Sequence, residues 1–216
     1  MDVLAFILVF AVIALGIFAY AAVQAERRAT ALAAAAERLG FSYRPLGPDH
    51  LHETLAHFHL FSQGRDRAVE NHLSGSTGDI EVQCFDYRYT TGGGKNSRTY
   101  RQSVILFRWP VLDLPEFVLR PENIFHKIGQ VFGYQDIDFD HHPAFSEAYL
   151  LRGSDERGVR SVFTDEVIAH FKGLTRASAE GRGSELVFYR HGKRAEPAAL
   201  DSFLQEGIGT LSSFRR

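Results

Sequence analysis

The stretch IEVQCFDYRYTTGGGKNSRTYRQSVILFR, residues 80–108, decides how this chain folds. Ile80 to Thr90 and Arg98 to Arg108 are rich in β-branched and aromatic residues and flank a glycine-containing turn, so they read as one long hairpin. Within the first arm the apolar parity changes. Ile80, Val82 and Cys84 share one face, while Phe85, Tyr87 and Tyr89 share the other. Side chains alternate along a strand, so either a bulge near Cys84 switches the faces or both faces are covered. Coverage of both faces is favoured.

On either side of the hairpin, shorter strands are expected at Phe41 to Arg44, Phe58 to Gln63, Val69 to Ser74 and Glu185 to Arg190, with a short helix around Asp49 to Ala56. Pro110, Pro115 and Pro121 punctuate the chain, so Phe117 to Leu119 is expected only as a short or edge strand. Helices come late. Pro121 and Gly133 bracket one, with Ile124, Phe125, Ile128 and Phe132 on a shared face. A second is expected from Asp155 to Gly173, with Val159, Val162, Phe163, Val167 and Phe171 as its buried stripe. A third starts near Pro197 and turns Leu200, Phe203, Leu204, Ile208 and Leu211 inward; Gly207 and Gly209 each weaken it by roughly 1 kcal/mol relative to Ala. Hairpins first and helices afterwards predict an α+β fold with a largely antiparallel sheet, as one domain over residues 41–216.

The N-terminus is of another kind. VLAFILVFAVIALGIFAYAAV, Val3 to Val23, contains 21 residues and no charge. At about 1.5 Å per residue it spans roughly 32 Å as a helix, enough for a hydrocarbon core of about 30 Å. Residues 1–25 are therefore expected to be a transmembrane anchor in contact with the lipid bilayer. A cleaved signal peptide is the rival, because Val23-Gln24-Ala25 resembles a cleavage site. Against it, Met1-Asp2 is not a basic n-region and the apolar run is long. AERRATALAAAAERLG has no helix breaker before Gly40, so the helix is expected to continue to about residue 39, with residues 26–40 as a juxtamembrane stalk projecting into water. Arg27, Arg28 and Arg38 follow the span and no Lys or Arg precedes it. The positive-inside rule then predicts a single-pass protein of the cell inner membrane with its C-terminal domain in the cytoplasm.

Composition excludes other classes. Of 216 residues, 24 are Lys or Arg and 26 are Asp or Glu, a balance of 24 − 26 = −2 that argues against nucleic acid as a partner. Cys84 is the sole cysteine, which excludes an intrachain disulfide and a cysteine zinc site. It lies in a strand between apolar neighbours and is expected to be packed rather than nucleophilic.

Three stretches carry candidate chemistry. In DIDFDHHPAFSE, residues 136–147, Asp138, Asp140, His141 and His142 are candidate ligands for a hard metal ion. The spacing of Asp136, Asp138, Asp140 and Glu147 resembles an EF-hand loop, but His141 stands where the sharp turn needs Gly, and Pro143 intrudes. Asp140-His141-His142 matches the DHH phosphoesterases in that triplet alone. The alternative is a strand or turn that buries Ile137 and Phe139 and leaves the polar residues wet. TTGGGKNSRT, residues 90–99, fails as a phosphate loop: Tyr89 and Asn96 stand where Gly and Ser or Thr are needed, and a strand follows. As a hairpin tip it offers Lys95, Arg98 and Arg101 to an anionic headgroup or an acidic protein partner. DHLHETLAHFHLF groups His50, His52, His57 and His59 around Glu53; helical and strand spacings conflict there, and surface or half-buried histidines are the default. No Ser-His-Asp arrangement is legible, and neither a cofactor nor a catalytic residue is indicated.

The words HFHLFSQG (57–64), FDYRYTTGGGK (85–95), LPEFVLRPE (114–122), YQDIDFDHHPAFS (134–146), YLLRGSDE (149–156) and FYRHGKR (188–194) resemble a family of uncharacterised bacterial proteins with one N-terminal membrane helix. The resemblance spans most of residues 40–216. It implies that architecture and a bacterial origin, and no activity or cofactor. The expected function is a membrane-anchored, non-catalytic binding or interaction domain. The alternative is a membrane-tethered, metal-dependent hydrolase using the Asp and His cluster at 136–142.

Overall fold

The computed structural model describes residues 3–122 and 136–215. The helix expected between Pro121 and Gly133 lies mostly outside them. Helix α1, Val3–Leu39, is one uninterrupted helix of 37 residues. Its segment from Phe6 to Leu39 is long and apolar enough to cross a membrane. From residue 6 to residue 27 every residue is exposed. The last turns do not stand free in water as a stalk: Leu32, Ala35 and Ala36 are buried in the main core. Small side chains at 35 and 36 let the helix backbone lie close to the sheet.

Eight strands follow: β1 Ser42–Leu46, β2 Arg65–Thr77, β3 Ile80–Thr91, β4 Arg98–Arg108, β5 Leu114–Pro121, β6 Tyr149–Gly153, β7 Ser178–Gly183 and β8 Glu185–Tyr189. They form one sheet in the order β1-β2-β3-β4-β8-β7-β5-β6, with every pairing antiparallel. The protein is therefore α+β, as its sequence pattern predicts. The β3–β4 hairpin is the longest ladder, in unbroken register from Glu81↔Arg108 to Thr91↔Arg98.

Both faces of β3 are covered. Val82 and Cys84 belong to the main core, beneath the end of α1 and the later helices α4 Pro143–Ala148, α5 Glu156–Val162, α6 Asp165–Gly173 and α7 Leu200–Ser213. Phe85, Tyr87 and Tyr89 belong to a second core on the opposite face, capped by α2 Leu51–Thr54 and α3 His59–Ser62. There Phe61 meets Tyr87 edge-on, and Tyr87, Tyr89 and Tyr100 stack in sequence.

Several elements differ from expectation for identifiable reasons. Phe58 to Gln63 forms a helical turn, not a strand: Phe58, Leu60 and Phe61 are all buried, and the Leu60 backbone N–H donates to both oxygens of Glu180 at 3.1 Å. β5 is an interior strand between β7 and β6, not an edge. Its prolines are tolerated because Pro115 falls at a register shift and Pro121 at the last paired position. The stripe from Val159 to Phe171 is buried as expected, but it belongs to two helices. Thr164 interrupts them and caps α6 by accepting from the Val167 N–H. In α7 Ile208 is exposed and Gly207 faces the sheet; a Cβ at 207 would stand 2.6 Å from Ile105 Cδ1. Strands β6 and β7 carry no apolar alternation that would announce them.

Candidate functional site

Where α1 leaves its apolar segment, its course is set by one side chain. Arg28 donates from Nε and Nη2 to the two oxygens of Asp86 at 2.7 and 2.8 Å, and from Nη1 to the carbonyl of Ala195 at 2.9 Å. Asp86 lies on β3, on the main-core face. It also accepts from Ser103 Oγ on the facing residue of β4 at 2.7 Å and from Asn71 Nδ2 at 3.0 Å. Asn71 is held by Tyr43, whose hydroxyl donates to Asn71 Oδ1 at 2.8 Å. Ser103 Oγ accepts from the Ala195 N–H, which ties in the loop after β8. Burial by itself lowers the Arg28 pKa. The hydrogen bond and charge of Asp86 outweigh it and hold Arg28 above its ordinary value, so the guanidinium stays charged.

Between α1 and the sheet, on the side of this junction nearer the apolar segment, lies a groove of about 940 Å³. The helix contributes Tyr20, Gln24, Arg27 and Arg28. Strands β2, β3 and β4 contribute Glu70, Arg88 and Arg101, and the loop before α7 contributes Arg194 and Glu196. Five arginines against Glu70, Glu196 and the buried Asp86 leave 5 − 3 = +2. Arg88 is paired with Glu70 at 3.0 Å. Among the described residues Arg27, Arg101 and Arg194 are exposed and form no ion pair. The excess of guanidinium groups suits an anion, with Glu196 the one lining carboxylate that forms no ion pair among the described residues.

The hairpin-tip cations are divided by the pleat. Arg101 faces α1 across from Arg88. Arg98 lies on the other face, with its guanidinium 5.1 Å from the Tyr100 ring centroid. Lys95 sits in the turn Gly94–Asn96, which Arg65 staples by donating to Gly92 O and Ser97 Oγ. Arg27, Arg88 and Arg194 were missed as partners of Arg101 in sequence reading. The Arg27-Arg28 pair after the apolar run is the one signal of this groove in the sequence.

The 136–142 stretch is differently placed. Ile137 is buried and pairs its N–H with Leu151 O along the edge of β6, while Asp136 Oδ1 accepts from the Leu151 N–H. Asp138, Asp140 and His141 are exposed. The Asp138 carbonyl accepts from Arg160, and His142 Nε2 lies 2.8 Å from Asp165 Oδ1. Among the described residues no group of three or more His, Cys, Asp or Glu is placed to hold a metal ion. The earlier histidines also scatter. His50 pairs with Glu53, His57 with Glu185, and His59 is buried at the start of α3. Cys84 is buried, and burial pushes its thiol pKa far above the ordinary range.

No family model matches the sequence, and no curated protein sequence matches it. Among solved structures, the fold is similar to that in the crystal structure of the mycobacterial trehalose monomycolate transport factor A, TtfA. The TM-score is 0.63 at 12% identity, covering 87% of this chain and 94% of that one. At that identity the likeness is one of fold: the α+β architecture described above is shared with a transport factor.

Proposed function

We propose that this chain is a single-pass membrane protein whose α+β domain acts by binding, without catalysis, at the cytoplasmic surface of the inner membrane. One observation carries the reading. A single rigid helix is apolar and free of protein contact along its first part, and is fastened to the sheet by Arg28 and Asp86 in its second. A helix so divided holds the domain at a set height and rotation beneath a bilayer. Arg27, Arg28 and Arg38, which follow the apolar run, favour the cytoplasmic side. The fold likeness to a protein named as a trehalose monomycolate transport factor supports work on or beside lipids. The surface offered for binding is the basic groove and the neighbouring tip with Lys95 and Arg98.

The test is biochemical topology. Full-length protein tagged after residue 216 should stay in the pellet after carbonate extraction and be cut by added protease only in inverted vesicles. Release by carbonate, a mature N-terminus near Glu26, or cleavage only in right-side-out vesicles would overturn the reading.

A further inference from the structure

The groove can be assigned a ligand from its height. Helix α1 runs antiparallel to β3: Arg28 meets Asp86, and Phe41, just past the helix end, packs on Gly75, the partner of Val82. Moving up the helix towards its N-terminus therefore moves along β3 towards the hairpin tip. Tyr20 shares the groove with Arg88 and Arg101, and Val23 is the last residue of the uncharged run. The groove mouth thus stands at the boundary between hydrocarbon and headgroups, where an aromatic residue such as Tyr20 is at home. One turn above Tyr20 and Ala21, on the same helix face, Ile17 is exposed and offers an apolar track. Arg28 and Arg88 are already engaged by Asp86 and Glu70, while three arginines from distant parts of the chain, Arg27, Arg101 and Arg194, line the groove and form no ion pair among the described residues.

We propose that this groove seats the phosphate of an anionic phospholipid from the leaflet that α1 enters. Arg101 and Arg194 donate from the domain side, Arg27 donates from the helix, and the acyl chains lie along α1 past Ile17. Guanidinium forks match phosphate oxygens in pairs, and the site opens onto the apolar span, which favours a lipid over a soluble anion. The assignment rests on α1 being a membrane span.

The experiment uses full-length protein in detergent micelles, titrated with dioleoylphosphatidylglycerol or dioleoylphosphatidylcholine, with bound lipid read by native mass spectrometry. The anionic lipid should be retained and the zwitterionic one should not. Arg101→Gln combined with Arg194→Gln should weaken retention about thirtyfold, and Arg27→Gln, made separately, should weaken it in the same direction. Arg157→Gln combined with Lys172→Gln, the same loss of charge at exposed positions outside the groove, should leave it unchanged. Equal retention of both lipids, equal loss in both double variants, or displacement by millimolar inorganic phosphate overturns the proposal, the last by showing that the ligand is a free anion. Carbonate extraction of the same variants separates the two ideas. Protein that stays in membranes without preferring the anionic lipid loses only the headgroup site, whereas protein released by carbonate loses the span and the site together.

Discussion

Asp86 gathers more of this protein than any other single residue on the α1 side of the sheet. It joins β3 to α1 through Arg28, to β4 through Ser103 and to β2 through Asn71. The side chains of Arg28 and Asp86 are about 10% and 8% exposed, so either one left alone is a buried, uncompensated charge. Asp86→Ala should cost about 3–5 kcal/mol. At 2–4 °C per kcal/mol for a chain of this size, the melting temperature should fall by roughly 10 °C. Thermal melts of the solubilised full chain check this. A second residue-scale effect concerns acid. Burial, with the nearby positive charge of Arg120 adding to it, brings the His59 pKa down to about 3, and burial lowers His72 and His170 as well. In the unfolded chain each takes up a proton near pH 6.5, whereas the folded chain refuses it. The stability His59 contributes is therefore complete above pH 6.5 and is lost as pH falls from there towards 3, by up to about 1.4 kcal/mol per pH unit, and His72 and His170 add to the loss in the same direction. Urea midpoints should drop between pH 7 and pH 5, and His59→Gln should flatten that drop. Equal slopes in wild type and variant would remove His59 from the account.

Among the elements, α7 shows why propensity and packing have to be weighed together. Gly207 weakens the helix by intrinsic preference, yet it brings the backbone onto Ile105 and Phe107. A methyl group there stands 2.6 Å from Ile105 Cδ1 and 3.2 Å from Phe107 Cζ, so these buried side chains or the helix must shift. Gly207→Ala should destabilise by about 1–3 kcal/mol in spite of the gain in propensity, measurable as a lower urea midpoint. A stabilised variant would show that the contact relaxes freely. The same close seating accounts for Ile208 facing solvent, since the helix is turned to bring Gly207 and Thr210 inward. In α1 the seat is made by Ala35 and Ala36. Ala36→Glu should detach residues 28–36 from the sheet without releasing the protein from membranes. Hydrogen exchange should quicken in those residues while carbonate resistance persists.

At the scale of the whole molecule, one sheet with two covered faces divides the labour. The face towards α1 and the late helices holds the larger core and the junction with the span. The other face, under α2 and α3, holds the aromatic core and a buried pair in which Arg120 Nη2 donates to Glu180 at 3.1 Å, with the Tyr189 hydroxyl donating to the same carboxylate at 2.8 Å. Because α1 is continuous and fastened to β3, the proposed membrane placement predicts a domain held in one orientation beneath the bilayer. Spin labels at exposed sites near the hairpin tip, such as residue 95, should report a depth close to the headgroups, and labels near Val111, at the opposite end of β4, should report bulk water. Equal accessibility at the two ends would mean that the junction does not set the orientation.

The sequence by itself determined the apolar segment, its continuation as helix to residue 39, the β3–β4 hairpin, the two-sided burial of β3, and the mixed architecture. These follow from composition and from periods of 2 and 3.6 residues, which act over a few neighbours. Only the tertiary structure decided that Arg28 meets Asp86, that Glu180 in the polar stretch SAEGRG belongs to a buried strand opposite Arg120, and that Arg27, Arg101 and Arg194 line one groove. Pairings between charges far apart in the chain depend on strand order and register, and the local pattern of a single sequence does not encode either. Phe58 to Gln63 was misread for a related reason: a run buried on both sides has no period, and its helical turn is settled by a carboxylate from a strand more than a hundred residues away.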